Sequence, residues 1–279
     1  KILQQKGEIV SITGDGINDA LALKSADVGV AMGKRGTDAA RDVSDIVLID
    51  DNFASIVEGV KQGRTTYENI KKFTKYLLAV NFSEIFLILF ALVIGFILPQ
   101  RNWFIPLLPL QILWMNLITD SFPALTLAME HSDDVMNSKP KKEKSILEKI
   151  WKFIIIAGII AFVTELIIYL FGVSNNLQIQ KVRTMILTTA ILFELLFIYS
   201  CRSKKPLLEI GIFSNKWLNY AIIFSIIMQF ILLYTPLANI FKVVPLSLKE
   251  WIFILPFAFS GLILFEISKY VKKKSKNAN

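Results

Sequence analysis

One stretch constrains this chain more than any other: IPLLPLQILWMNLITDSFPALTLAM, residues 105–129, is long and apolar enough to cross a bilayer yet carries Asn116, Thr119 and Asp120 at its middle. An ionisable side chain at the centre of a membrane helix costs about 2.5–3.5 kcal/mol on insertion scales, so it turns toward other helices or a hydrated path and marks ion handling. The three polar residues stand at i, i+3 and i+4, which places their oxygens on one helical face. Pro123 has no N–H to give to the carbonyl of Thr119, four residues back, so a backbone oxygen is left at the same depth. Such an oxygen-only assembly suits hard cations. The competing reading is a polar packing seam in which the aspartate pairs with a lysine or arginine.

The chain's 279 residues are 54% hydrophobic, with a mean hydropathy of +0.53, and several runs reach membrane-spanning length. This is the composition of a multi-pass integral membrane protein embedded in a lipid bilayer. The net charge of +8 points to no nucleic-acid partner, because the lysines flank hydrophobic segments as the positive-inside rule requires. A single cysteine, Cys201, excludes an intrachain disulfide and a cysteine-rich metal cluster, and is expected to be a structural thiol. The amino-terminal part is polar and turn-rich, so no signal peptide is expected there. Lys1 opens within a helical pattern, so the chain is expected to be a piece of something longer.

Between residues 8 and 49, short β-branched runs alternate with helical ones: EIVSI, INDALALKSA, VGVAM, GTDAARDVS and IVLI. Alternation of this kind predicts a parallel, doubly wound sheet with ligands at the carboxyl ends of its strands. TGDGINDA (13–20) falls at such an end, where Gly14 and Gly16 permit tight backbone geometry and Asp15, Asn18 and Asp19 bring oxygens and an amide together. Two carboxylates beside a turn suit Mg2+, and a capped strand-to-helix turn is the equal alternative.

TGDGINDALALKSADVGVAMG resembles the hinge signature of the P-type cation-transporting ATPases, and DDNF with the long helix after it matches the same family. WMNLITD and NFSE resemble the intramembrane pattern of the calcium-pump branch, and the resemblance runs the length of the chain. It implies a bundle of six transmembrane helices preceded by part of a haloacid-dehalogenase-like α/β segment. The expected division is 1–52 for the end of the cytosolic phosphorylation domain, 53–75 for a stalk helix, 76–272 for the membrane domain and 273–279 for a basic tail.

Asp51 and Asn52 are expected to cap the helix that runs from Phe53 into the first span, 76–98, where Asn81 and Glu84 share a face. Lys75 reaches toward the cytosolic interface. Gly95, Pro99 and the turn RNWF lead into the span described first. A lysine-rich loop at 131–149, with Lys139, Lys141, Lys142 and Lys144, is expected to be cytosolic, and its His131 to be a solvated residue. Further spans follow at 150–171, 184–200, 217–234 and 251–270, so that both ends return to the cytosol. Trp103, Trp151, Trp217 and Trp251 sit near span ends as interfacial anchors. Glu165 and Glu266 are assigned structural roles, Glu266 near a basic boundary where it can snorkel.

The resemblance further implies that ATP phosphorylates an aspartate and that Asp15 holds Mg2+, with Thr13 and Gly14 beside it. Asn18 would bond the phosphoryl group, and Asp19 would fix the pocket. Asn81, Glu84, Asn116, Thr119, Asp120 and Glu194 would coordinate the transported cation, Ca2+ by preference, in a plasma-membrane pump. Emptying such a site leaves carboxylates in a poor solvent, which favours proton countertransport. Leu21 replaces the proline usual after NDA, and Ser83 stands where close calcium-pump relatives often carry glycine. The phosphorylated-aspartate motif, the nucleotide site and an earlier ligand helix belong upstream in this family, so the missing amino-terminal part is the expected partner and the chain alone is expected to form no phosphoenzyme. Alternatives are a pump for Na+, K+, H+ or Mn2+, a truncated non-catalytic binding module, and a passive channel.

Overall fold

A computed structural model describes residues 1–97, 104–130, 135–136 and 145–278. Pro99, Trp103, His131 and the lysines Lys139, Lys141, Lys142 and Lys144 lie outside the described residues. The chain divides into two compact units, one formed by the described residues of 1–68 and 131–148, the other by those of 69–130 and 149–279.

In the first unit α1 (Ile2–Gln5) precedes β1 (Ser11–Gly14), a single 3-10 turn (Ile17–Asp19), α2 (Ala20–Ser25), β2 (Val28–Met32), α3 (Asp38–Val43) and β3 (Ile46–Leu48). The three strands are parallel in the order β1-β2-β3, with Ser11 opposite Val28 and Val30 opposite Ile46. The apolar run VGVAM makes β2 the central strand, because a parallel strand is buried on both faces. Leu23, Ala31 and Ala40 form the core under α2 and α3; Val30, Met32 and Leu48 form the opposite one, against Ile56 at the start of α4 (Phe53–Ile97). The parallel sheet agrees with the sequence pattern. A doubly wound sheet also needs a reversal of strand order, and the three described strands contain none.

The expected cap before α4 is corrected in one particular. Asn52 does cap it, its Oδ1 accepting from the Ala54 N–H at 3.0 Å, but Asp51 turns away. The Asp51 carboxylate accepts from the backbone N–H groups of Lys34 and Arg35, each at 2.9 Å, and so clamps the β2–α3 loop. These bonds hold the Asp51 carboxyl below its ordinary range.

In the second unit α4 continues to Ile97 and is followed by α5 (Pro109–Trp114), a π-helical segment (Met115–Asp120) and α6 (Ser121–Ala128), the last three in unbroken succession. Next come α7 (Trp151–Ser174), α8 (Ile179–Cys201), α9 (Leu207–Ile210), α10 (Lys216–Tyr234), α11 (Leu237–Phe241) and α12 (Leu248–Ala278). Among the described residues five helices are long and apolar enough to cross a membrane: α4, α7, α8, α10 and α12. The sixth expected span is the α5–π–α6 run, whose helical winding changes at its polar middle. Pro123 withholds an N–H there, and the hydroxyl of Ser121 bonds the Asn116 carbonyl five residues back. Most of α8 is buried, as befits a helix surrounded by others, whereas α4, α7, α10 and α12 expose rows of Leu, Ile and Phe suited to lipid.

One end of this bundle is fastened by an ion pair between a buried arginine and a half-buried glutamate. The Arg202 guanidinium, just past α8, grips Glu130 with two bonds, Nη2–Oε1 at 2.7 Å and Nε–Oε2 at 3.1 Å, and also donates to the Gly211 carbonyl and Ser214 Oγ. Asn215, which caps α10, donates to Glu130 Oε2 at 2.7 Å, and Asn69 of α4 donates to the Glu130 carbonyl at 2.7 Å. Burial raises the Glu130 carboxyl, but the bonds from Arg202 and Asn215 outweigh it and leave the group below the ordinary value of 4.5. The clasp's contribution is therefore complete above that value and is lost as the pH falls through the lower, folded one. Replacing Arg202 by leucine leaves a half-buried carboxylate without its partner and is expected to cost about 2–3 kcal/mol, below the penalty for a fully buried charge. Thermal unfolding followed by a thiol-reactive dye checks this, since the one cysteine, Cys201, is buried beside the clasp. Arg202→Leu should react at a clearly lower temperature, and the acid sensitivity of the wild type should be reduced in Glu130→Gln.

Candidate functional site

Two groups of residues singled out by the sequence can now be built up from their elements. The first is the loop after β1. The Asp19 carboxylate folds back over it, Oδ2 accepting from the N–H of Asp15 at 3.2 Å and of Gly16 at 3.1 Å. Gly14 is required here, because a Cβ would lie 2.5 Å from that of Asp19. The Asp15 carbonyl accepts from the Thr37 N–H at 2.8 Å, which ties the loop to the start of α3. Thr13, Asp15 and Asn18 are exposed at the carboxyl end of β1. Asp19 thus serves the loop's shape, while the side chains of Asp15 and Asn18 have no hydrogen-bond partner among the described residues. An exposed carboxylate at a strand end fits Mg2+, which binds through one or two carboxylates and keeps its remaining positions for water and phosphate oxygens.

The second group lies within the helical bundle. Glu84 of α4, Asp120 at the end of the π-helical segment and Glu194 of α8 each bring a carboxylate oxygen to within 4.8 Å of the others, and all three are buried. Three features of local sequence place them. Glu84 shares a helix face with Tyr76 and Val80, at i−8 and i−4, both fully buried. Asp120 follows the wide turn, where Ser225 of α10 donates to the Ile118 carbonyl at 3.2 Å and so helps hold the unusual winding. Glu194 projects from the most enclosed helix.

Their hydrogen bonding is incomplete. Tyr76 Oη donates to Asp120 Oδ1 at 3.3 Å, but Asp120 Oδ2, Glu84 Oε1 and both oxygens of Glu194 have no partner among the described residues. None of the three forms an ion pair among those residues, so the alternative of an aspartate matched to a lysine or arginine finds no partner there. Buried carboxylates with free oxygens and no counter-charge are costly unless something cationic joins them. Ca2+ takes oxygens at about 2.3–2.6 Å, so ligands on opposite sides of one ion stand about 5 Å apart; the observed spread falls within a single coordination sphere.

The structure does not bring the whole expected ligand set together. The side chains of Asn81, Asn116 and Thr119 each bond a carbonyl one turn back in their own helix, Leu77, Ile112 and Met115 respectively. Their positions flank the three carboxylates without an observed bond to them. Conversely, sequence reasoning did not include Tyr76, whose i, i+4, i+8 spacing with Val80 and Glu84 was the available signal. It also did not include Gln229 of α10, buried mid-helix with Nε2 donating to Thr188 Oγ1 at 3.1 Å. Glu266 is anchored by Ser200, Lys269 and the Leu207 N–H, so it fastens α8, α9 and α12 together.

Known proteins resemble this chain over most of its length. The family described as "Cation transporting ATPase, C-terminus" matches residues 104–271. The chain is 41% identical to "Calcium-transporting ATPase 1" of Bacillus cereus, over 98% of this chain and 32% of that protein. It is 38% identical to "Calcium-transporting ATPase" of Bacillus subtilis, over 98% of this chain and 31% of the relative. With "Calcium-transporting ATPase type 2C member 1" of Mus musculus it shares 38% identity, over 100% of this chain and 30% of the relative. The chain thus spans about a third of the length of the curated relatives it matches. With its integral-membrane helices, the chain belongs to the P-type cation-transporting ATPase family and corresponds to the carboxyl-terminal part of its calcium-transporting members.

Proposed function

We propose that this chain supplies the intramembrane cation site and the Mg2+/phosphate loop of an ATP-driven calcium pump. One observation carries the reading: three buried carboxylates from α4, the π-helical segment and α8 converge without a cationic partner among the described residues. The calcium-transporting relatives support Ca2+ as cargo in preference to Na+, K+, H+ or Mn2+. Asn81, Asn116 and Thr119 join the three acids as ligands when the ion is bound, their amide or hydroxyl oxygens lying on the same helices. The α5–π–α6 run serves as the sixth membrane crossing, which leaves both ends of the chain in the cytosol, and the host is the plasma membrane. The three parallel strands are part of a doubly wound, haloacid-dehalogenase-like domain.

At the loop after β1, Asp15 would hold Mg2+ with Thr13 and Gly14 alongside, and Asn18 would donate to a phosphoryl oxygen. When bound, the ion supplies charge neutralisation for phosphoryl transfer, a reaction that depends on positioning and electrostatics. Asp19 keeps the two backbone N–H groups of Asp15 and Gly16 in place. Helix α4 begins after the sheet and carries Glu84 without a break in its winding, so its backbone links the loop's unit to the ion ligands.

Two measurements test this reading in the complete gene product that carries the chain. Asp120→Asn should lower apparent calcium affinity at least about 100-fold in vesicle uptake, since a ligand shared by the cluster is removed. Unchanged uptake in that variant, or activation by Na+ or K+ with none by Ca2+, contradicts the reading. Asp15→Asn should abolish phosphoenzyme formation while leaving equilibrium calcium binding intact. Loss of calcium binding in Asp15→Asn, or a normal phosphoenzyme level, contradicts the assigned role.

A further inference from the structure

A fourth acid, Glu165 of α7, lies in the same bundle and has no part in the scheme above. It is 2% exposed, its Oε2 has no partner among the described residues, and the side chain it meets through a hydrogen bond is Ser83, whose Oγ stands 3.3 Å from Oε1. Ser83 immediately precedes Glu84. Glu165 is not one of the three acids whose oxygens converge, but its hydrogen-bond partner adjoins one of them in sequence.

Helix α7 meets α4 along one seam. Gly158, two turns before Glu165 on the same face, approaches α4 so closely that a Cβ would lie 2.5 Å from Phe82 Cδ1. Phe162 meets Phe86 and Phe90 edge-on, with ring centroids 6.3 Å and 6.0 Å apart. Phe82, Ser83 and Phe86 thus form the α4 side of the contact, and Glu84 points away from it into the cluster. A hydroxyl has one hydrogen to give, and that of Ser83 also reaches the Val80 carbonyl at 2.8 Å. The Ser83–Glu165 contact is a side-chain hydrogen bond across this stretch of the seam, whose other contacts here are between aromatic rings, and it is set beside a proposed ion ligand. A turn of α4 by one residue would swing Glu84 by about 100° and out of reach of Asp120 and Glu194.

The geometry points to Glu165 as a positioning residue for the cation site: through Ser83 it holds the turn of α4 that aims Glu84, and it does so by its hydrogen bond and shape, not by its charge. The inference rests on the cation-site reading. Partners that orient metal ligands are worth about 10- to 100-fold in metal affinity, and an amide in place of the acid retains the fastening, because its NH2 donates to Ser83 Oγ.

The test is the calcium concentration giving half-maximal ATPase activity, together with kcat, in the complete gene product carrying the chain. Glu165→Leu and Ser83→Ala should each raise that concentration about 10- to 100-fold while kcat stays within about twofold. Glu165→Gln should remain within about threefold of the wild type, and Ser83→Ala combined with Glu165→Leu should be no worse than the single leucine variant. An effect of Glu165→Gln as large as that of Glu165→Leu overturns the proposal, because charge is then what matters. Unchanged calcium dependence in Glu165→Leu overturns it as well. Should the leucine variant fail to accumulate, Ser83→Ala decides alone, unchanged calcium dependence again being the contrary result. A wild type without calcium activation refutes the cation-site reading itself. With a calcium-activated wild type that loses activation in Asp120→Asn, the cation site stands and the Glu165 variants report on Glu165 alone.

Discussion

Carboxylates shut away from water without a counter-charge are the constraint on which this bundle's architecture turns. Each of Glu84, Asp120 and Glu194 is individually expensive in a membrane, and among the described residues no lysine or arginine pairs with them. Around them the helices make specific arrangements: an enclosed α8, a π-helical widening at residues 115–120, and the Ser225 hydroxyl on the Ile118 carbonyl. A chain selected for stability alone would replace such groups with well-packed apolar side chains, often with no loss of stability. Under the function proposed above, a cation that enters and leaves accounts for their presence.

The same logic of charge separates the middle of the bundle from its end. Glu130 and Arg202 form a two-bond ion pair with additional donors from Asn215, so their charges are matched within the protein. At the cluster, several carboxylate oxygens have no partner among the described residues, and in the proposed function a bound cation supplies the match. Which carboxylate oxygens have partners separates a paired end, where helices are fastened, from an unpaired cluster, where the proposed function has an ion exchange. Asp19 and Asp15 repeat it in the first unit: the former's oxygen is engaged by two backbone N–H groups, while the latter's side chain stays free among the described residues.

Much of this was legible in the residues because it follows from period and cost. The β-branched run VGVAM became β2 with the boundaries it suggests, and Asp120 and Glu84 were marked by charge at membrane depth. What was not legible depended on contacts between helices. Nothing in the order of residues 105–129 says that the winding changes to π at Met115, since that depends on Ser121 bonding back and Ser225 reaching across from α10. Asp51 looked like a helix cap and instead serves a loop sixteen residues earlier, because its backbone lies in the left-handed region, with φ 53°, and its side chain is turned from the helix. Asn81, Asn116 and Thr119 share helix faces with the acids, but bonds to their own helices compete for their side chains.

The central claim is that one hard cation sits among Glu84, Asp120 and Glu194, and terbium luminescence tests it most directly. Tb3+ takes oxygen ligands as Ca2+ does and is excited through a nearby aromatic ring, which Tyr76 supplies with its hydroxyl 3.3 Å from Asp120 Oδ1. The account predicts sensitised emission from the purified protein in lipid nanodiscs, quenched by excess Ca2+, absent in Glu84→Gln combined with Asp120→Asn, and weakened in Tyr76→Leu. Emission that persists undiminished in the double variant, or that Ca2+ does not displace, would contradict it.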